Sequence, residues 1–301
     1  MAVQFRRAQS SDLEEAVRLM NAMYARKKNV NYFLWQYFDP RARASLYCAF
    51  EASVLVGLFG LQVKLLSNGL CCGQAMDMLV HKDFRKQGIF SALATFVLQK
   101  FKHLDLFCVF PNLAGKMATE RGLEWKTLLK IPNNVGNVGD FASSDRTNDD
   151  CDNVREAVGN AKAHTIAFQY DRRYSAWRFE AHPLYNYFAS SNRQAVAVMK
   201  IFVDPVRQET VGDIVHLEGI EEPDRLHELL DRSIAALRSR GVHLITTWAI
   251  NRPVVERELR HKGFRQAAQE RYFCLKVNRP DLEYLYSPEV WSLEQADTEV
   301  F

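Results

Sequence analysis

The sequence of 301 residues predicts an α+β (α/β-type) architecture in two tandem copies, each a mixed, mostly antiparallel sheet with helices. Three observations predict it. The first is the stretch Met76 to Lys100, MDMLVHKDFRKQGIFSALATFVLQK, which reads as a strand, a basic loop and a helix. The second is the pair of extended runs before it, Leu46–Glu51 and Val54–Leu66, with turn signals at Ala52-Ser53 and Asn68-Gly69 that fold the chain back on itself. The third is an echo: Tyr174-Ser175-Ala176-Trp177-Arg178-Phe179-Glu180-Ala181-His182-Pro183 parallels Phe33-Leu34-Trp35-Gln36-Tyr37-Phe38-Asp39-Pro40, and similar runs follow both.

The elements follow in order. Gln4–Arg7 is a first strand. A helix over about Asp12–Tyr24 puts Leu13, Ala16, Val17, Met20 and Tyr24 on one face; Ser10 or Ser11 can cap it, and Ser11 with Glu14 has capping-box spacing. The aromatic segment Tyr32–Phe38 ends at Asp39-Pro40, and the antiparallel runs come next. After the central helix, Leu106–Phe110 is apolar throughout and reads as a buried strand. Pro111-Asn112 opens another helix, which Arg121-Gly122 closes, and Glu124–Leu129 is the strand after it.

In the central stretch, Met76, Met78 and Val80 share one face of the strand, and Asp77, Leu79 and His81 share the other. Gly88 begins an apolar pattern at helical spacing: Ile89, Leu93, Phe96, Val97, Phe101. A basic turn feeding a helix start suits an anion, because the first N–H groups of a helix have no internal partner and the helix dipole favours negative charge there. Gly88 also leaves the backbone bare for a close approach. On these residues alone, a solvated turn and a phosphate cradle are both open.

Composition excludes several classes. The 48% hydrophobic content excludes wholesale disorder. Charge is balanced, 39 basic against 36 acidic residues, with no Lys/Arg cluster, so no nucleic-acid partner is expected. No apolar run approaches the roughly 20 residues that cross a bilayer, and Arg6-Arg7 leads into a mixed, charged segment, so neither a membrane partner nor a leader is expected. Cys48, Cys71, Cys72, Cys108, Cys151 and Cys274 lack C-x-x-C spacing. They read as buried thiols of a reducing, cytoplasmic compartment, with no metal expected.

The spacing Arg85-x-x-Gly88 resembles the pyrophosphate loop of the GNAT acyltransferases, and the element order over 1–130 resembles the GNAT fold. The likeness is greatest to a bacterial tandem subgroup with an aromatic motif ending in proline, a core D-x-x-V-x-x-x-x-R-x-x-G-[IL]-F and a later F-P-N. Here these stand as Trp35-Gln36-Tyr37 with Pro40, Asp77 to Val80 with Arg85 and Gly88-Ile89-Phe90, and Phe110-Pro111-Asn112.

This organisation gives an N-terminal domain over 1–130, a linker over 131–163 rich in Asn, Gly, Asp and Ser, and a second GNAT-like domain over 164–301. In the second copy Glu218-Gly219-Ile220-Glu221-Glu222-Pro223 replaces the basic loop. Acidic side chains would repel a diphosphate, so this copy is expected to be degenerate and to hold no CoA. The segment Trp291 to Phe301 resembles chain ends of the same tandem subgroup.

The resemblance implies an N-acetyltransferase that moves an acetyl group from acetyl-CoA, its co-substrate, to a small-molecule amine by direct attack on the thioester. An amino sugar or surface-polysaccharide precursor is one acceptor. The alternatives are a CoA-sensing protein without turnover and a transferase using another acyl or aminoacyl donor. It implies that the diphosphate meets the N–H groups of Gln87, Gly88, Ile89 and Phe90, with Arg85 and Lys86 supplying charge. The pantetheine would run along Met78, Leu79 and Val80, and Asn112 would be a polar cofactor contact or a helix cap. Asp77 is the leading candidate for general base or amine anchor, since a carboxylate in an apolar strand needs a partner; a structural ion pair is the other reading. His81 is the alternative base. Trp35, Tyr37 and Trp177 wall a substrate site or fill a core. The helix after Pro111 carries no tyrosine, so the general acid is unassigned. A homodimer is compatible with the aromatic sets in both copies.

Overall fold

The structure is a computed structural model and describes residues 3–25, 27–141, 165–192, 195–219, 222–268 and 270–298. It divides into two units, Met1–Lys130 with Glu270–Pro288, and Ile131–Gln269 with Glu289–Phe301.

The first unit begins with β1 (Gln4–Arg7), α1 (Leu13–Met23) and α2 (Val30–Tyr37). It continues through β2 (Ala44–Glu51), β3 (Val54–Leu65), β4 (Cys71–Val80), α3 (Ile89–Lys100), β5 (Leu106–Val109), α4 (Leu113–Leu123) and β6 (Lys126–Lys130). The second unit holds β7 (Asn133–Asn137), a short α5 (Arg172–Ser175) extended by a π-turn, β8 (Tyr187–Asn192), β9 (Ala195–Val203) and β10 (Thr210–Glu218). Then come α6 (Pro223–Arg238), β11 (Leu244–Thr247), α7 (Pro253–His261) and β12 (Arg265–Ala267). The chain returns to the first unit as β13 (Tyr272–Val277).

The first sheet has the order β1-β2-β3-β4-β5-β13-β6 and the second β12-β7-β11-β10-β9-β8. In each, one pair is parallel, β4 with β5 and β10 with β11, and every other pair is antiparallel. The two sheets therefore repeat one pattern, with β10 and β11 in the places of β4 and β5.

Two boundaries differ from the sequence reading. The strand at 272–277 belongs to the first sheet, between β5 and β6, not to the second domain. Its Phe273, Cys274 and Leu275 are all fully buried, so it needs covered faces and two neighbours, and it finds them there. The start of the expected linker is the strand β7, paired with β11 and β12. Its polar Asn-Gly composition hid a strand held by backbone pairing, and Gly136 is required because a methyl group there would lie 3.1 Å from Phe141 Cε1. Residues 142–163 of that linker lie outside the described residues.

Each core is a helix laid on a sheet. In the first unit α3 buries Ile89, Leu93, Ala94 and Val97 against Tyr47, Phe59, Leu61, Ala75 and Val109. In the second, α6 buries Leu226, Leu229, Leu230, Ile234 and Leu237 against Ala197, Met199, Ile214 and Ile245. The α3 face follows the apolar spacing read above, and Leu226, Leu229, Leu230, Ile234 and Leu237 keep the same helical period along the sequence. The capping box before α1 forms two residues earlier than expected, at Gln9 and Asp12. The Asp12 carboxylate accepts from the Gln9 N–H at 2.7 Å and takes two hydrogen bonds from Arg6, which hold its carboxyl below the usual range.

Candidate active site

The site in the first unit is built on the end of β4. The β4–β5 pairing stops at Ala75–Val109, and the β3–β4 register slips between Gly60–Met76 and Leu58–Leu79. Asp77 and Met78 thus oppose Phe59 alone, a bulge that bends the strand and re-aims its side chains. Asp77 takes φ 47°, a left-handed conformation that costs a non-glycine residue about 1 kcal/mol and lasts only where its surroundings fix it.

Those surroundings are specific. Lys28 Nζ lies 2.7 Å from Asp77 Oδ1, and the Tyr37 hydroxyl donates to Oδ2 at 2.7 Å. Lys28 comes from the loop between α1 and α2 and rests its ammonium 4.2 Å from the centre of the Tyr32 ring. Burial opposes the charged form of Lys28, but the Asp77 carboxylate and the Tyr32 hydroxyl outweigh it, so the ammonium's pKa is raised. Asp77 is thereby both the ion-paired carboxylate and a group set at the bend of the strand. A carboxylate so held can orient and attract a cationic amine.

The basic loop follows. His81 caps a short turn, its Nδ1 accepting from the Asp83 N–H at 3.4 Å, and its ring packs edge-on to Phe84. Among the described residues no contact joins His81 to the Lys28–Asp77–Tyr37 group. Arg85 Nε donates to the Val80 carbonyl at 3.2 Å, tying the loop to the strand end, and Arg85 to Gly88 are exposed. Lys86 has φ 63° and Gly88 φ 77°, so the chain turns through two left-handed residues into the first turn of α3. A methyl group built on Gly88 meets nothing within 4 Å, so space lies open above that backbone. An open, exposed helix start with N–H groups that the helix cannot satisfy, flanked by Arg85 and Lys86, fits a phosphate group. Ile89 is buried and Phe90 packs beside it on the core, which explains large residues there. Met78 is half-buried, and Leu79 and Val80 are buried.

Other candidates fall elsewhere. The Asn112 side chain accepts from the Gly115 N–H at 2.9 Å and caps α4. Trp35 is buried against Tyr32, and Trp177 of the second unit is fully buried beside Tyr174, so both rings fill cores. Tyr37 alone of the three aromatic candidates reaches Asp77. Lys28 is absent from the sequence reading because its partner lies 49 positions away. Its only local signal is the basic run Arg26-Lys27-Lys28 in the sequence between two helical segments. In the second unit Gly219 is also left-handed, and Ile220 and Glu221 lie outside the described residues.

Among the described residues no group of three or more His, Cys, Asp or Glu side chains could hold a metal ion, and no helix is long and apolar enough to cross a membrane.

No family model matches the sequence. No curated protein matches it either. Solved structures do. A conserved Enterococcus faecalis V583 protein described as a probable N-acyltransferase superposes with TM-score 0.64 at 10% identity, over 93% of this chain and 73% of that one. GCN5-related N-acetyltransferases (the GNAT name in full) superpose similarly. The one from Anabaena variabilis gives TM-score 0.63 at 9% identity over 92% and 73%. That from Kribbella flavida gives 0.61 at 11% over 92% and 72%. The likeness runs through both units, and the chain has the GNAT fold.

Proposed function

We propose that the protein is an acyl-CoA-dependent N-acyltransferase whose first unit binds acetyl-CoA and acetylates a small-molecule amine. The observation that carries this is the meeting of two features on one strand. The end of β4 parts from β5 at a bulge, and a few residues on it runs into an open glycine turn at the start of α3. A phosphate-bearing chain bound at Gly88 and laid back along Val80, Leu79 and Met78 would arrive beside Asp77.

In this reading Gln87 to Phe90 hold the diphosphate by backbone N–H groups, with Arg85 and Lys86 adding charge. The amine nitrogen attacks the thioester carbonyl carbon; an N–C bond forms, the C–S bond breaks, and the thiolate leaves. One proton leaves the amine and one proton reaches the thiolate. Asp77, with Lys28 and Tyr37 fixing its carboxylate, orients the amine and draws its positive charge. His81, half-buried at the strand end, is the alternative to Asp77 as the acceptor of the amine proton. The acceptor class proposed is an amino sugar or related polysaccharide precursor. A cytoplasmic setting agrees with the free thiols of Cys48, Cys71, Cys72, Cys108 and Cys274.

Calorimetric titration with acetyl-CoA and with free CoA tests the reading. Micromolar binding by the wild type, lost in Gly88→Glu, supports it and opens an acceptor screen. No binding by the wild type rejects it. A protein that binds but turns over no amine would instead be a CoA sensor.

A further inference from the structure

The second unit has a fork like that of the first. Its parallel pair β10–β11 ends at Ile214–Thr247, while β10 runs on to Glu218. A register shift interrupts β10 between Ile214 and His216, as one interrupts β4 after Met76. His216 lies five residues past the first parallel-paired residue, Val211, and Asp77 lies five past Cys72. The two forks are counterparts, and His216 stands where Asp77 stands.

The second fork is filled by the chain itself. The Ile250 N–H donates to the Leu293 carbonyl at 3.2 Å and the Leu293 N–H donates back at 3.4 Å. Asn251 Nδ2 donates to the Trp291 carbonyl at 2.7 Å, and Gln295 Nε2 donates to Thr246 Oγ1 on β11 at 2.8 Å. Between them, Glu294 turns its carboxylate to β10. It accepts from the Leu217 N–H at 3.4 Å and from Arg252 Nη1 at 2.9 Å, and it is hydrogen-bonded to His216 Nδ1. Asp297 accepts from the Tyr170 hydroxyl at 2.6 Å, and Trp291 and Leu293 are 0% exposed.

We propose that Trp291–Asp297 is the built-in occupant of this fork and excludes acyl-CoA from the second unit. The comparison with pantetheine rests on the function proposed for the first unit; the occupancy does not. An extended peptide and a pantetheine arm present the same amide groups to a strand edge. The peptide adds what pantetheine lacks, a carboxylate for Arg252 and His216. Displacing it would leave buried His216 with the Glu218 carboxylate alone and half-buried Arg252 with the Leu217 carbonyl alone, a loss that hydrogen bonds from a neutral amide do not offset. The chain thus carries one acyl-CoA site.

Hydrogen exchange read by mass spectrometry, beside calorimetric stoichiometry, tests this on the full chain. In the wild type the Ile250 and Leu293 amides exchange slowly, saturating acetyl-CoA leaves them so, and one equivalent binds. Glu294→Gln speeds exchange across 291–297 by roughly tenfold or more while β9 stays protected, since a 1.4 kcal/mol loss of local closure is a tenfold change. Arg252→Gln, which removes one anchor, is the second variant should the first not fold. A second bound equivalent, faster exchange at 291–297 on adding acetyl-CoA, or no change in either variant overturns the proposal. A wild type that binds no acetyl-CoA rejects the function of the first unit, and the two variants still decide the occupancy.

Discussion

Gly60 and Tyr37 fit each other at the bend of β4: a methyl group on Gly60 would lie 2.9 Å from Tyr37 Cζ. That space lets the ring pass over β3 and place its hydroxyl on Asp77. Gly60→Ala should push the ring away and break this hydrogen bond, at an overpacking cost of about 1–3 kcal/mol. Tyr37→Phe removes the same hydrogen bond without the clash. Both should lower kcat more than they raise the KM for acetyl-CoA, with only Gly60→Ala losing several degrees of Tm. Steady-state kinetics and thermal melts on the two variants check this; equal loss in Tm would show the hydroxyl to be a structural group.

The Lys28–Asp77 pair should behave as a coupled unit. Lys28→Met leaves a half-buried carboxylate without its cation and should cost roughly 2–4 kcal/mol, since removing one member of a buried pair is worse than removing both. Lys28→Met with Asp77→Asn should recover part of that stability and none of the activity. Denaturant unfolding of the two single variants and the double variant closes the cycle.

At the loop, Gly88 has φ 77° and open space above it. Gly88→Ala should fold with a strain of about 1 kcal/mol and weaken acetyl-CoA binding several-fold. Gly88→Glu adds a negative group where a diphosphate is expected and should weaken it by well over tenfold. Titration of both variants beside circular dichroism separates lost binding from lost fold.

What could be read from the sequence follows from where the information lies. The faces of α1, α3 and α6, the β2–β3–β4 meander and the glycine turn depend on residues within a few positions of each other, so spacing reveals them. The place of β13 in the first sheet depends on the gap that the first unit leaves between β5 and β6, and nothing in Tyr272–Val277 records that. Asp77 is conspicuous as a charge in an apolar strand, yet Lys28 and Gly60, which hold it and make room for Tyr37, are ordinary residues locally. Trp35 and Trp177 show the opposite failure: an aromatic motif repeated in both copies marks a repeated core as readily as a repeated site.

Thiol chemistry should be slow at the buried cysteines among the described residues. Burial pushes the Cys48 thiol up to about 12, and Cys72 and Cys108 are fully buried. Among the described cysteines, alkylation followed by mass spectrometry should therefore label half-buried Cys71 first and Cys48 only on unfolding, because the thiolate is the reactive form.

The His216 cluster sets an alkaline limit on the second unit. Burial by itself lowers the pKa of His216. The Glu294 charge, hydrogen bonds to Glu218 and Glu294, and the Glu218 charge outweigh burial and bring it to about 9. Arg252 and the Tyr170 ring face the same group, Arg252 on Glu294 and the ring 5.2 Å from the imidazole. The folded state thus holds the proton more tightly than the unfolded chain, whose histidine titrates near 6.5. The stability this contributes is complete below about pH 6.5 and is lost as pH rises through about 9. Melts of the full chain from about pH 6 to about pH 10 should show the second unit's transition falling, and His216→Gln should lower the acid-side value and flatten the slope. A wild-type transition that holds constant through that range would mean that His216 is neutral and that Glu294 is held by Arg252 alone.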